Sequence, residues 1–600
     1  MITARMTVVG LWRGFAASAV LAGVLAASAY AARPKSAELL PEDTLGLVSI
    51  TDTQELAQRF MNTSLGQMSQ DPQMKPVVDE LYGSMSELVA SIKDFIGLSL
   101  QEIVNLPHGE VTFAVVAVKD ASPAYVFLFD AGDQIANARL LLQRGVDAAV
   151  NNGGATKQEE SVKDTKITIV TGPNGGFLAY FDKDGTIVAG TNLEAVKRIL
   201  GIWNGEKGRV LSDNQNYGTI MNRCRGSKDE PPQVVWFVDP INIMRSIAEQ
   251  NVGLRVAVAM LPVLGLDGLS AIGGSMLYDV GQYDSVNHIH VLLENPRSGI
   301  IKMIALESGV STPERWVPTD VASYMTVHVN FDTAVKTLTP MWDSLSGNGA
   351  FSSFVQQRFS TPLGVDVEKQ ILPALEGRVT YITWFEKPAS QVSGVTLVAV
   401  KLKDTEAVGK ALDGLAKRIG ENVSKQNSSG KDYYRVNIPA PQMPPGAEPP
   451  PMPIPCFGIV DDYFVFTNRP SLYEKVLSTL AEGTKSLGEE LEFKLIANKI
   501  QRQSGGAKPV MLGFSRPEEG LRYWYDRLNS DSTRESLKKQ AENNPFFKSL
   551  DSSLQKSPLP PFEVIQRYLA PGGSMAVDDA SGLHFMSFTL RRKGNDNSGE

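Results

Sequence analysis

Leu40-Pro41-Glu42-Asp43-Thr44-Leu45-Gly46-Leu47-Val48-Ser49-Ile50 is the stretch that decides the fold, and Thr51-Asp52-Thr53-Gln54 through Phe60 completes it. A proline fixes how the chain enters, Asp43 and Thr44 break the pattern, and a short apolar strand follows. Thr51 with Gln54, and Asp52 with Glu55, have the three-residue spacing of a capping box, so a helix begins there and runs to about Phe60. The same order of events returns from Val317: Pro318, Thr319 and Asp320, an alternating run over 322–329, a polar break at Asn330 and a helical pattern from Asp332. An internal repeat of this kind implies two similar modules and not one large core.

Outward from the first copy, Val77, Leu81, Met85, Leu88, Val89, Ile92 and Ile96 recur at three and four, which predicts one amphipathic helix over 74–96. The period then changes to two. Strands are expected at 111–118, 125–129, 166–170, 177–181 and 186–189, with the last two joined by the hairpin turn Asp182-Lys183-Asp184-Gly185. Gly132-Asp133 and Asn192 open helices, a strand spans 234–238, Asp239-Pro240 starts another helix, and 274–278 pairs with 288–293. The second half repeats the order with 378–385, 395–402, a helix over 405–419, 457–460 and 464–467. Gly572-Gly573-Ser574-Met575 repeats Gly273-Gly274-Ser275-Met276, and His584 is set against His288. The expected fold is α+β, two tandem similar modules, each a mostly antiparallel curved sheet with helices packed on one face. The boundaries are a signal peptide over 1–31, modules over 32–307 and 317–593, a linker over 308–316 and a polar tail over 594–600. A Pro-rich loop over 439–455 is inserted in the second module.

The chain has 600 residues, 42% hydrophobic and 21% charged, enough to bury real cores. Its net charge of -8 and lack of Lys/Arg clusters argue against a nucleic-acid partner. Arg5 and Arg13, an apolar run over 15–25 and the end Ala29-Tyr30-Ala31 form a secretory signal, with cleavage expected after Ala31. The alternative is an uncleaved anchor, since the apolar stretch approaches the roughly 20 residues that span a bilayer. Val24 stands where a lipoprotein would carry its Cys. No other segment is long and apolar enough to cross a membrane, so the mature chain is expected outside the cytoplasm, periplasmic or extracellular. Cys224 and Cys456 either form one bridge between modules or remain buried thiols.

Chemical motifs are sparse. His288-x-His290 on a strand puts two imidazoles on one face, the start of a metal site, against the plainer reading of two half-exposed strand histidines. Asp182–Thr186 lacks the Gly and Glu positions of a calcium loop. Ser536–Lys539 and Ser553–Lys556 fit Ser-x-x-Lys by length alone, and Gly172–Gly176 lies between strands without a helix N-terminus. The paired Gly-Gly-Ser-Met stretches mark a bulge or close backbone approach. Tyr523-Trp524-Tyr525 is expected to pack one module on the other. No catalytic residue, cofactor site or metal site is assigned.

With its Leu-Pro-x-Asp-Thr opening at Leu40 behind a signal peptide, then a strand, helices and long antiparallel meanders, the chain resembles a family of exported bacterial envelope proteins known only as a domain of unknown function. The resemblance implies an envelope location and carries over no catalytic residues. The expected function is a non-enzymatic binding or structural protein of the envelope, because two similar surfaces suit bivalent binding. The alternative is a carrier of a lipid or other apolar ligand, since a sheet closed by amphipathic helices can enclose an apolar cavity. A hydrolase would require one copy to hold polar residues converging in a cleft that the other has lost.

Overall fold

The computed structural model describes residues 33–80, 106–226, 230–249, 251–390, 392–439, 452–481, 483–542 and 544–592. The expected signal peptide, the 74–96 helix beyond Glu80, the middle of the Pro-rich loop and the polar tail lie outside the described residues.

The strands of the first half are β1 Thr44–Ile50, β2 Val111–Val116, β3 Ala124–Asp130, β4 Thr156–Val162, β5 Thr165–Thr171, β6 Phe177–Lys183, β7 Thr186–Gly190, β8 Val234–Val238, β9 Leu269–Val280 and β10 Tyr283–Leu293. Those of the second half are β11 Ser323–His328, β12 Leu375–Phe385, β13 Gly394–Leu402, β14 Val423–Ser428, β15 Lys431–Val436, β16 Cys456–Val460, β17 Tyr463–Thr467, β18 Met511–Ser515, β19 Gly572–Asp579 and β20 Gly582–Leu590. In space the first half runs β4-β5-β6-β7-β3-β2-β1-β8-β9-β10. The second runs β14-β15-β16-β17-β13-β12-β11-β18-β19-β20, the same order. Every pairing is antiparallel.

The two halves do not keep separate sheets, because β10 pairs with β20 from Tyr283↔Leu590 to Leu292↔Gly582 and makes one continuous sheet. Each half ends on a long strand whose outer edge is a row of unpaired backbone groups, and pairing those edges satisfies both. Periodicity identifies strands; it does not say which edges meet.

Helices pack on both faces of this sheet, where the sequence reading placed them on one. On the first face lie Leu193–Trp203 and Gln215–Cys224, whose Val196, Ile199, Leu200 and Ile220 are buried against Leu47 and Phe237. Pro470–Ala481 and Leu491–Gln503 do the same in the second half through Val476, Leu477, Ile496 and Ile500. On the opposite face Ile135–Gly153 covers Phe129, Ile187 and Val170, and Thr405–Ile419 covers Phe457 and Phe464. Local chemistry sets several of these starts. Asp52 caps Thr53–Asn62 by accepting from Glu55 N at 2.8 Å, and Asn192 accepts from Glu194 N and Ala195 N.

The Gly-Gly-Ser-Met stretches occupy equivalent strands, but one residue out of step. Gly273 pairs with Phe237, and it is Gly573 that pairs with Phe514. Both mark a close approach: a Cβ on Gly273 would lie 2.7 Å from Ile220, and one on Gly573 2.7 Å from Ile496. Overpacking a core costs typically about 1–3 kcal/mol. Gly273→Val and Gly573→Val are therefore each expected to lower the thermal midpoint by several degrees, as circular dichroism melting would read.

Candidate functional site

His288 and His290 share a face of β10, as their spacing requires, and β20 brings His584 to them. The His288 and His584 rings stack with centroids 5.4 Å apart, and His288 Nδ1 lies 3.2 Å from His584 Nε2. The plain reading of half-exposed histidines does not hold for His290, which is fully buried because β10 is an interior strand. Pairing sets His584 opposite His290, and in the register of each half His288 corresponds to Met586 and His584 to Val286, not His584 to His288. Burial lowers the pKa of His288 to about 4 and that of His584 to about 4. Among the described residues no group of three or more His, Cys, Asp or Glu side chains is arranged to hold a metal ion.

The remaining motifs fall into place simply. Asp182–Gly185 is the β6–β7 hairpin, with Asp184 and Gly185 at positive φ. Lys539 pairs with Glu535 at 3.0 Å and Lys556 with Glu80 at 3.2 Å, so neither lysine is turned to activate a serine. Cys224 and Cys456 are free and buried, and burial pushes both thiols up to about 12. Tyr523 stacks on Phe385 at 5.0 Å, and Tyr525 donates to Pro560 O at 2.9 Å. Those partners belong to the second half, so among the described residues this aromatic cluster packs within one half and not, as expected, between the two. Ion pairs beside β10 and β20 join the halves instead: Arg297–Asp578, Arg591–Asp279 and Arg223–Asp579.

Two concavities lie on the second face of the sheet in the second half. The first lies between Thr405–Ile419 and strands β13, β16 and β17. It has a volume of about 440 Å³ and an apolar lining that includes Leu363, Ile371, Val408, Ala411, Leu415 and Phe466. Helix residues Val408, Leu412 and Leu415 recur at four and three, which turns one stripe to the sheet. A site of this size falls in the usual range for small-molecule binding, about 300–1,000 Å³. Phe466 is 39% exposed at its rim, so the space opens to solvent.

The second concavity, about 480 Å³, is a groove over β11, β18, β19 and β20. Ser323, Ser515, Ser574, Ser587 and Thr589 line it, with Met325 and Tyr381 at one side and Gly513 in its floor. Among the described residues no His, Asp, Glu or Lys lines it. Sequence reasoning missed this groove. Its signal was a comparison of the halves in strand register, since the matching positions of the first half are apolar or glycine.

The chain is thus an α+β protein built on one large antiparallel sheet. Residues 15–250 match the model of a family described as Protein of unknown function (DUF3352), so this stretch is a domain of unknown function. No curated protein and no solved structure matches the chain. Among the described residues, no helix is long and apolar enough to cross a membrane.

Proposed function

We propose that the chain is an exported, non-enzymatic binding protein of the bacterial envelope, and that it carries a lipid-like apolar chain beneath the helix Thr405–Ile419. The observation that carries this reading is the cavity of about 440 Å³ whose exposed lining is wholly apolar. A cavity of roughly 150 Å³ with such a lining stays dry and accepts one benzene, so this one has room for a chain. Burial of about 0.8 kcal/mol per methylene then drives binding without any polar contact. The signal-like segment ahead of Arg33 supports export. The identical strand order of the halves supports descent from one duplicated module.

Native mass spectrometry of protein purified from its own host tests the proposal, with an apolar ligand expected on the wild type. Ala411→Phe projects a ring into the cavity and is expected to abolish that ligand. Leu415→Trp, at a half-buried position, does so with less risk to the core. Wild-type protein free of ligand, and unable to bind 1-dodecanol when it is supplied, would overturn the proposal.

A further inference from the structure

The two concavities share one cross-strand row. Ser587 on β20 pairs with Ser574, Ser574 with Gly513, and Gly513 with Met325. From Met325 the row continues to Tyr381, then Val398, then Phe466 at the rim of the apolar cavity. Directly paired residues of antiparallel strands point to the same face, so these side chains form a single track. Ser574 to Phe466 is five strand spacings of about 4.8 Å, roughly 24 Å. A second row two residues along the strands adds Ser323, Ser515 and Thr589. None of these hydroxyls, nor that of Tyr381, has a hydrogen-bond partner among the described residues.

The first half shows what this track looks like without a polar end. By strand pairing Ser587 corresponds to Ile289, Ser574 to Gly274 and Gly513 to Trp236. Ser323, Ser515 and Thr589 correspond to Gly46, Val238 and Val291. Trp236 lies over Gly274, where a Cβ would be 2.8 Å from its Nε1, and so fills the space that is groove in the second half. Five hydroxyls replacing aliphatic residues or glycine, and a glycine replacing the tryptophan, turn one end of the track hydrophilic while the other stays apolar.

We infer that the ligand is an amphiphile with a neutral, hydroxyl-rich head, a glycolipid in chemical class, whose head lies on the serine groove and whose tail enters the cavity under Thr405–Ile419. This rests on the apolar-chain reading above and names the other end of the same ligand. Hydroxyl side chains both donate and accept, which matches sugar hydroxyls, and Tyr381 with Met325 offers an apolar platform at the junction. Among the described residues no charged side chain lines either concavity, so a phosphate or ammonium head would find no counter-ion there.

The test compares three probes of equal chain length below their micellar concentrations: dodecyl maltoside, 1-dodecanol and dodecyl phosphate, with affinity read by calorimetry. The maltoside is expected to bind wild type at least tenfold more tightly than either other probe. Gly513→Trp combined with Ser574→Gly copies the first half's Trp236 and Gly274; it relieves the overlap that a Cβ at 513 would make with Ser574 Oγ. This pair should erase the maltoside's advantage and leave dodecanol binding unchanged. Ser587→Ala with Thr589→Val, which barely alters shape, should remove most of it. Dodecanol binding as tightly as maltoside, or an advantage that survives both pairs, overturns the head-group inference alone. Tighter binding of dodecyl phosphate overturns it as well. Failure of all three probes removes the apolar-chain reading and the inference together.

Discussion

Arg378→Leu is expected to destabilise the protein by about 3–5 kcal/mol, because it leaves a buried carboxylate without its counter-ion. Arg378 Nε lies 3.0 Å from Glu314 Oε1, with both side chains less than a tenth exposed. The pair is held by further hydrogen bonds. Arg378 donates to Thr326 Oγ1 at 3.2 Å and to the Tyr324 hydroxyl at 3.0 Å, and Thr380 donates to Glu314 at 2.6 Å. In strand register Arg378 corresponds to Glu110 of the first half, where the polarity is reversed. Glu110 there accepts from Ser49 at 2.9 Å and faces Arg33 at 3.6 Å. In both halves the segment ahead of the first strand is thus tied to the second strand by one buried ion pair, with the charges exchanged. The double reversal Glu314→Arg with Arg378→Glu should therefore recover at least half of the loss seen for either single change. Urea unfolding of the two single variants and the double variant measures this coupling; additive losses would mean that the two halves do not use equivalent pins.

Much of the fold was legible because it rests on local pattern. The strand at 45–50, which the structure extends to Thr44, the capped helix after it, the hairpin at Asp182–Gly185 and the helix at 405–419 all follow from period, caps and turn residues. What escaped were relations between distant segments. The joining of β10 to β20 depends on which edges are left open after each half folds, and no window of sequence holds that information. The shared order of elements in the two halves was visible, yet identical letters in the two Gly-Gly-Ser-Met stretches suggested a register one residue away from the one the sheet adopts. That slip concealed the site. With Gly273 set against Gly573, Trp236 falls against Gly513 and Ile289 against Ser587, and the hydroxyl groove is seen as a departure from an apolar pattern. Because strand side chains alternate between faces, an error of one residue compares a core position with a surface one. Serine and threonine at half-exposed strand positions raise no alarm on their own.

Stability is expected to fall steeply as the pH drops from 7 to 5, and the histidines at the seam are the cause. In the folded protein burial holds His288 and His584 at about 4, whereas the unfolded chain titrates near 6.5. Between those values the unfolded state binds more protons, so unfolding becomes easier as acid is added; the loss begins below about pH 6.5 and levels off below about 4. For two such groups the loss from pH 7 to 5 is about 4 kcal/mol. The geometry gives the same direction. His288 Nδ1 and His584 Nε2 share one hydrogen at 3.2 Å, and protonating both rings would set two donors against each other. His290, buried beside them, is shifted in the same direction, mainly by burial and by Arg223, with Asp579 opposing. Arg223 opposes a proton on His290, and Asp579, paired with Arg223, favours one, so the pair supplies no net counter-charge to the rings. His288→Met with His584→Val installs the residues found at the matching positions of the other half, Met586 and Val286. That variant should lose most of the acid slope between pH 7 and 5 in denaturant titrations, while its stability at pH 7 changes far less. An unchanged slope would move the acid sensitivity away from the seam and leave the junction of the halves indifferent to pH.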